Sequence, residues 1–368
     1  MKKFDKDRLL LGIAGPALAL IVAFALTSVV LLVSDRDPIE PYQIMYDTAQ
    51  FTDVQVNIVN TTGTYYLAAL AVAIGFRMNL FNIGVDGQYR LAVMLAAVVG
   101  ANVDLPGPIH ILLIVLVAMG VGAIWAGIAG VLKTTRGVSE VVSTIMLNAI
   151  ATSLIAWMIL PANLGVQLPG SNDLTTGEIP ESGWFPGVGV DGGTIYGFTF
   201  VAFALGIVYW FALNRTRFGF DLRATGASES AAQASGVDAK KMILTAMLIS
   251  GAVAGLAGLP LLLGDTHTYS LSFPVGVGFT GITIALLGRN NPIGIFFAAL
   301  LLSFLDKASA ELDQHGYEKE IATIMQGLIV IAVVVSYEVV RQYGLRRQQQ
   351  KVGEELAAQA KKSEEVAA

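Results

Sequence analysis

Polar residues that could bind a small solute interrupt two apolar stretches between Phe76 and Gln88. This short run carries carboxamides, a carboxylate and glycines, at Asn79, Asn82, Gly84, Asp86, Gly87 and Gln88. Such groups exchange hydrogen bonds with a solute or with freed backbone, and at membrane depth they are costly and tend to face a cavity. The run is therefore either a broken element that lines a solute route or an ordinary tight turn, and the residues alone leave both interpretations open.

The second unusual segment is a basic connector from Asn214 to Lys241. It is too long for a simple turn, and its middle, Ser228 to Ala234, is a short helix-forming stretch of small residues that ends at Gly236. Small side chains on such a helix would let the groove of a partner protein close around it. The alternative is a basic loop that faces lipid head groups.

Catalysis is poorly supported by the residue types. The chain has no Gly-x-x-x-x-Gly-Lys-Ser/Thr sequence, so it lacks a phosphate-binding loop for ATP hydrolysis of its own. It has no cysteine, and its three histidines, His110, His267 and His315, are scattered. The net charge of −5 gives no reason to expect a nucleic-acid partner. We expect no enzyme activity and no metal or cofactor bound to this chain.

Apolar helices must position both segments, because 54% of the residues are hydrophobic and only 14% are charged, against about 25% charged in a soluble domain. A spanning helix needs about 20 apolar residues. The sequence predicts an all-α, polytopic membrane protein with about ten transmembrane helices. The predicted stretches are residues 9–33, 63–80, 88–103, 109–131, 141–160, 195–213, 242–263, 275–288, 292–306 and 320–340.

Some of these stretches allow more than one interpretation. The first is longer than a signal-peptide core and has no small-residue cleavage site after it, so we expect it to stay in place as a helix. Residues 88–103, 275–288 and 292–306 are short, and could be broken, tilted or re-entrant instead of full spans, which is tolerated only where protein or a watery cavity surrounds the backbone.

The distribution of positive charge orients these helices. If the N-terminus is cytoplasmic, the inner regions, with both termini included, hold 20 of the 23 Lys and Arg residues, and the outer regions hold 3. Arg77 and Arg90 are in the first inner connector. Positive residues favour the cytoplasmic side. We therefore expect both termini in the cytoplasm.

The same pattern divides the chain into a transmembrane domain, residues 1–340, and a charged cytoplasmic tail, residues 341–368. Two predicted outer loops, residues 34–62 and 161–194, are long and polar. They could cap a solute pathway or receive an external partner, or they could be solvated connectors.

The two unusual segments carry a family resemblance. Phe81-Asn-Ile-Gly-Val-Asp-Gly-Gln88 resembles the Phe-Asn-Ile-Gly-Ala-Glu-Gly-Gln form in permease subunits of ATP-binding-cassette (ABC) importers. These are the nucleoside and simple-sugar branch of the ribose and branched-chain amino acid permease family. The stretch from Gly219 to Gly236 resembles the cytoplasmic coupling region of that family. It also echoes the Glu-Ala-Ala loop of importers, from which it departs by an inserted Ser230 and by lacking the apolar-Pro continuation. The resemblance covers roughly residues 9–340.

This resemblance implies the partners and the location. The chain would be a multi-pass protein of the cytoplasmic membrane that pairs with a second permease subunit, cytoplasmic ATP-binding subunits and an external solute-binding lipoprotein. The ATP would be used by the partner, so this chain would hold no cofactor. The solute would be a nucleoside. A ribose-like sugar permease and an ion-coupled secondary transporter are the alternatives, with Asp86 and Asp306 as the candidate ion sites of the latter. A membrane enzyme is a third.

Two sets of candidate site residues follow. The predicted solute pathway is lined by Asn79, Phe81, Asn82, Asp86, Gln88, Asn148 and Thr280, with Ser143, Thr144 and Thr283 as further candidates. Hydrogen bonding between helices is the alternative role for each of them. The resemblance assigns coupling to the ATPase to Gly219, Arg223, Ala224, Gly226, Glu229, Ala231, Ala232 and Gly236.

Overall fold

The computed structural model describes residues 6–167, 172–317, 323–336, 338–340, 342–344, 346, 349, 350 and 353. Most of the predicted tail, residues 341–368, therefore lies outside the described residues. The described chain is almost entirely helical. Its first six helices are α1 (Lys6–Val33), α2 (Glu40–Thr48), α3 (Thr52–Phe76), α4 (Val85–Ala101), α5 (Gly107–Arg136) and α6 (Glu140–Met158).

Two small hairpins follow α6. Strand β1 (Val166–Gln167) pairs antiparallel with β2 (Leu174–Thr175), and β3 (Val188–Val190) pairs antiparallel with β4 (Gly193–Ile195). The helices then continue as α7 (Gly197–Arg215), α8 (Arg217–Ala227), α9 (Glu229–Ala234), α10 (Ala239–Leu256), α11 (Leu259–Leu261), α12 (Val277–Leu287) and α13 (Pro292–Ala308). A last apolar helix covers Thr323–Gly344.

The chain forms two compact units. Among the described residues, one contains those up to 46 and those from 309 onward, and the other contains those from 47 to 308. In the first, the Arg36 guanidinium lies 5.5 Å from the centre of the Tyr317 ring, and the Tyr317 hydroxyl donates a 2.5 Å hydrogen bond to Glu40. In the second, α3 is the central helix and packs against α4, α7, α10, α12 and α13. Its middle, Leu67–Ala73, is fully enclosed.

Membrane-spanning character is confirmed, but the count of ten spans is not. Seven helices within the described residues are long and apolar enough to cross a membrane: Thr52–Phe76, Gly107–Arg136, Glu140–Met158, Gly197–Arg215, Ala239–Thr266, Pro292–His315 and Thr323–Gly344. The second half of α1, Ile21–Val33, and α12 are apolar but shorter. Helix α4 has 17 residues, short of the roughly 20 that a perpendicular span needs.

Two predicted boundaries are wrong. Helix α3 begins at Thr52, not near residue 63, so the predicted outer loop 34–62 instead contains α2 and the first turns of α3. Helix α4 begins at Val85, which places Arg90 inside the helix, 7% exposed, and not in an inner connector. In both cases polar side chains hid the helix from a hydropathy pattern. Among them, Asn60 and Arg90 are buried inside the protein.

Small residues set the closest helix contact, between α5 and α10. A Cβ atom at Gly122 would overlap the Gly251 carbonyl, one at Gly251 would overlap the Gly122 carbonyl, and one at Gly255 would overlap the Ala118 carbonyl. Backbones can approach this closely only where side chains are absent, which is how helices associate within a bilayer.

Candidate functional site

A polar cavity opens beside the first half of α3. It has a volume of about 210 Å³, and α3 contributes Asn57, Asn60, Thr61, Thr64 and Tyr65 to its wall. These five residues are spaced three and four apart, so they lie on one face of the helix. Three of the five, Asn57, Asn60 and Thr61, lie in the turns of α3 that the hydropathy pattern missed.

The opposite walls come from distant parts of the sequence. Helix α4 contributes Tyr89, the residue before α7 is Tyr196, and the segment between α11 and α12 contributes Phe273 and Pro274. The Tyr89 hydroxyl donates a hydrogen bond to the Pro274 carbonyl. Aromatic rings with a few convergent polar groups are typical of small-molecule sites.

Charged side chains line this cavity at two places. Asp306, near the end of α13, accepts a hydrogen bond from the Tyr65 hydroxyl, and the Lys307 ammonium lies 3.1 Å from the same carboxylate. Asp265 lines the wall near Tyr196. Two carboxylates and one ammonium leave the lining acidic, so it can accept hydrogen bonds from solute hydroxyl or amine groups.

Some polar groups of the cavity have structural partners and others do not. Asn60 donates to the Thr194 carbonyl and accepts from the Tyr196 amide, both at 2.9 Å, so it fixes strand β4 to α3. Asn57, Thr61 and Thr64 make no side-chain hydrogen bond with any described residue, and each points into the cavity wall. These three side chains remain available to a solute or to water.

The part of the predicted outer loop 161–194 that follows residue 175 is docked onto the protein. Backbone amides of Thr176, Ile179 and Phe185 donate to the carbonyls of Tyr269, His267 and Leu263, each at 2.9 Å. The Trp184 and His267 rings stack with centres 3.8 Å apart and an interplanar angle of 8°. The loop is thus held against the segment that supplies the Phe273 and Pro274 wall.

Low pH is expected to destabilise the docked state of this loop, because His267 becomes protonated. Burial holds the pKa of His267 below its ordinary value of 6.5, although the Asp265 and Glu178 carboxylates oppose this. The released imidazole binds more protons than the docked one. The docked state is therefore fully stable above about pH 6.5 and loses stability as the pH falls through the lowered pKa.

Hydrogen exchange at the Ile179 and Phe185 amides, corrected for intrinsic rates, checks this expectation between about pH 7.5 and about pH 5. Exchange should quicken toward the lower pH. His267→Asn is the matched variant, since asparagine does not titrate and tolerates the backbone φ of 51° at this position. An equal acceleration in that variant would show that another group is responsible.

The predicted pathway residues lie elsewhere, mainly in a buried polar network around the start of α4. Asn82 and Gln88 exchange hydrogen bonds of 2.9 and 2.8 Å, and Asn82 also donates to Ser250 at 2.9 Å. Asn148 accepts from the Gly87 amide and donates to the Ile83 carbonyl, both at 2.9 Å. The network ties the chain before α4 to α6 and α10.

The remaining pathway candidates are placed around this network. Asp86 is buried and accepts a 3.2 Å hydrogen bond from the Gly278 amide of α12. Phe81 is half-exposed and contacts Phe76. Thr280 is half-buried on α12. None of the seven predicted residues is among those that line the polar cavity, and for Asn82, Gln88 and Asn148 the geometry favours the alternative role of hydrogen bonding between helices.

The basic connector folds into two short helices, α8 and α9, which we call the α8–α9 hairpin. Thr216 caps α8 through the Gly219 amide, and Ser228 caps α9 through the Ala231 amide. Side-chain oxygens at these positions satisfy amides that lack a helical partner. The predicted helix-forming stretch, Ser228 to Ala234, is thus α9 with its cap.

The predicted coupling residues divide between two sides of this hairpin. Ala224, Ala231 and Ala232 line a surface groove of about 450 Å³. Gly219, Arg223 and Gly226 face the protein, where Arg223 donates to the Leu213 carbonyl. Glu229 is exposed at the start of α9, and Gly236 has a φ of 84°, which a glycine adopts without strain.

The cavity residues on α3 could have been found in the sequence. Asn57, Asn60, Thr61, Thr64 and Tyr65 repeat at helical spacing directly before an apolar run, which predicts a helix with one polar face. By contrast, nothing local to Asp265 or Asp306 indicates that they share a cavity with α3.

Comparison with known proteins supports one family. The model of the branched-chain amino acid transport system permease component matches residues 54–334. The guanosine ABC transporter permease protein NupP of Bacillus subtilis (strain 168) is 35% identical over 88% of this chain and 93% of its own length. No solved structure gives a significant match.

Two further relatives differ in the solute that their names give. The nucleoside ABC transporter permease protein NupB of Lactococcus lactis subsp. cremoris (strain MG1363) is 29% identical over 88% of this chain and 90% of its own. The glucose ABC transporter permease protein TsgB13 of Haloferax volcanii is 31% identical over 89% of this chain and 88% of its own. The chain is thus a multi-pass membrane protein that belongs to the branched-chain amino acid transport system permease family, in the branch that contains nucleoside and sugar ABC permeases.

Proposed function

We propose that this chain forms the solute pathway of an ATP-driven importer of nucleosides. The observation that carries the proposal is the cavity beside α3, where unpaired Asn57, Thr61 and Thr64 face tyrosine and phenylalanine rings. A nucleoside offers a flat base and several hydroxyl and amine groups, and has no net charge. Aromatic faces accommodate the base, and the hydroxyl, amide and carboxylate oxygens accept its hydrogen bonds.

The cavity volume is consistent with a small solute held in a largely closed pathway. Its 210 Å³ lies below the roughly 300–1,000 Å³ of pockets that bind drug-sized ligands. Alternating access would widen it, since two conformations of a transporter expose the same site to opposite sides and nucleotide binding shifts their populations.

A simple sugar is the second candidate, because the glucose permease relative, at 31% identity, lies between the two nucleoside permease relatives at 35% and 29%. A sugar would use the same hydroxyl and carboxylate groups, and the C–H face of its ring can also pack on an aromatic side chain. The four aromatic side chains, Tyr65, Tyr89, Tyr196 and Phe273, fit either solute, so the preference for a nucleoside rests on the guanosine permease relative, at 35% identity against 31% for the glucose permease.

Uptake by the reconstituted complex tests the proposal. The permease would be co-purified from its native membrane with its partners, placed in vesicles, and supplied with labelled guanosine, ribose or glucose, with ATP or with a sodium or proton gradient. ATP-dependent uptake of guanosine supports the proposal. Uptake of sugar alone supports the second candidate, and gradient-driven uptake without ATP would establish the ion-coupled alternative.

The partners follow from the same proposal. A separate ATPase subunit would dock on the α8–α9 hairpin at this groove, a second permease subunit would complete the pathway, and an external solute-binding lipoprotein would deliver the nucleoside. Small side chains, Ala224, Ala231 and Ala232, line the groove, and they would let the partner close around the short helix α9. The chain itself would act without catalysis.

Filling this groove is expected to stop transport. Ala231→Trp puts a large ring where Ala231 is exposed on the groove wall. Overpacking a fitted contact costs about 1–3 kcal/mol, so ATP-driven uptake should fall by about ten-fold or more while the permease still inserts and folds. Uptake at equal membrane abundance measures it.

Ala156→Trp is the matched control, because Ala156 is exposed on α6, far along the chain from the hairpin. It should transport normally. Normal uptake by correctly inserted Ala231→Trp would count against ATPase docking in the groove.

A further inference from the structure

The turn between α3 and α4 is in direct contact with the α8–α9 hairpin. The Asn79 carboxamide donates a 2.7 Å hydrogen bond to the carbonyl of Gly226, in the last turn of α8. At the same place a Cβ atom on Gly226 would come within 2.6 Å of Met78 Cα. The hairpin therefore touches the turn through backbone packing and one directed hydrogen bond.

The conformation of Asn79 is defined by more than this bond. Its φ of 54° is in the left-handed region, where asparagine is several-fold enriched over most residues other than glycine. The Leu80 amide donates to the Gly75 carbonyl at 3.0 Å, which closes the end of α3 around it. The side chain is thus aimed at Gly226 by a locally specified backbone.

The same turn is joined firmly to α4. Asn82 in the turn and Gln88 in α4 share two hydrogen bonds, and Asn148 of α6 holds the Ile83 carbonyl and the Gly87 amide together. A fully satisfied buried network of this kind rigidifies what it connects. Displacement of the turn would carry the start of α4 with it.

Helix α4 in turn reaches the polar cavity. Tyr89, one turn beyond Asp86, lines the cavity and donates to the Pro274 carbonyl on its opposite wall. The Asp86 carboxylate accepts a hydrogen bond from the Gly278 amide, and Gly278 packs against the Asp86 backbone. The start of α12 is therefore held to α4 as well. Contacts therefore run without a break from the hairpin to the cavity.

We propose that Asn79 is a positioning residue that transmits movement of the α8–α9 hairpin to α4 and thereby to the cavity. Asn79 is then part of the coupling machinery and lies outside the solute route. The inference rests on the proposed function, since it requires that an ATPase moves the hairpin. Its chemical basis is a single carboxamide donor, and removing that donor leaves the solute site intact.

The test is Asn79→Gly in the full complex, reconstituted with guanosine as the transported probe. Glycine accepts the left-handed backbone without strain, so the substitution removes the hydrogen bond to Gly226 with little disturbance of the turn. Uptake and ATP hydrolysis are measured together. The expected result is a fall of about five-fold in nucleoside transported per ATP, the change that corresponds to one typical hydrogen bond, with an unchanged dependence of uptake on guanosine concentration.

Two further variants separate transmission from folding. Asn290→Gly is the matched control: Asn290 has the same φ of 54°, and its side-chain oxygen is buried without a hydrogen-bond partner among the described residues, so this variant should remain fully coupled. Aspartate also tolerates the left-handed backbone, but Asn79→Asp places an oxygen that accepts hydrogen bonds against the Gly226 carbonyl, which is itself an acceptor. This variant should lower the nucleoside transported per ATP at least as much as Asn79→Gly.

The outcomes distinguish the two proposals. Wild-type complex that shows no ATP-driven uptake of guanosine contradicts the proposed function. If the wild-type complex and the Asn79→Gly variant transport the same amount of guanosine per ATP, the role of Asn79 is overturned and the proposed function stands. A raised half-saturating guanosine concentration in Asn79→Gly would also overturn it, because that result assigns Asn79 to the solute route.

Discussion

Gly122→Leu is expected to destabilise the permease so strongly that little of it remains folded. The leucine Cβ would overlap the Gly251 carbonyl of α10, and backbone cannot move aside as a flexible side chain can. The reciprocal contacts of Gly251 and Gly255 with α5 mean that the two helices must separate along several turns. Overpacking typically lowers the free energy of unfolding by about 1–3 kcal/mol, and we expect a clash with backbone to lower it by about 3 kcal/mol or more.

The measurement is thermal unfolding of the detergent-solubilised chain, with the yield of monodisperse protein as a second readout. Gly120→Leu supplies the control on the same helix, because a Cβ at Gly120 meets nothing within 4 Å. That variant should unfold within about 0.5 kcal/mol of wild type. Equal destabilisation of both variants would show that leucine at any glycine of α5 is harmful, and that the α5–α10 contact is not special.

Thr64→Phe is expected to block transport without unfolding the protein. Thr64 lies on the polar face of α3 and its side chain borders the cavity. A phenyl ring would occupy much of a cavity of 210 Å³ and remove a hydroxyl that a solute can bind. ATP-driven guanosine uptake should fall by more than about ten-fold, which corresponds to only about 1.4 kcal/mol of lost binding.

Three companion variants make this result specific. Thr64→Val removes only the hydroxyl and should reduce uptake by about five-fold, the value of one hydrogen bond. Thr64→Ser keeps the hydroxyl and should transport normally. Ala204→Phe adds a ring at an exposed position on α7 and should be neutral. Normal uptake by folded Thr64→Phe would exclude the cavity from the pathway.

The two effects differ in kind, which guides their interpretation. The first acts on assembly of the helices, so it should appear in stability before any transport assay is done. The second acts on a solute pathway and should leave stability near the wild-type value. A permease that is both unstable and inactive would therefore report on packing, and only a stable and inactive one reports on the cavity.

Much of the fold follows from local sequence. The 30 residues of α5 and the 19 each of α6 and α7 are mostly apolar, and a helix is the way for such a segment to satisfy its backbone in lipid. The short helix α9 was predicted from its small residues, and the structure adds only that Ser228 caps it. These features depend on neighbours within a few residues.

The polar segments are harder to predict, because a hydropathy pattern does not show which groups surround a polar side chain. Residues Thr52 to Thr62 suggested a loop, yet they begin α3, where Asn60 binds the backbone of β4 and Thr62 binds its own helix. Arg90 suggested an inner connector, yet it is buried within α4 and donates to Thr152 of α6. For Asn60 and Arg90 the partner is supplied by another element.

The sequence by itself determined that this chain is an apolar helical membrane protein with two special segments, Phe76–Gln88 and Asn214–Lys241, because helix formation and apolarity are properties of adjacent residues. Only the tertiary structure decided what those segments touch. Asn82 meets Ser250, Asn79 meets Gly226, and Tyr65 meets Asp306 across separations that no local pattern specifies. Such contacts are selected by the packing of whole helices, in which burying one unpaired polar group costs more than any local preference contributes.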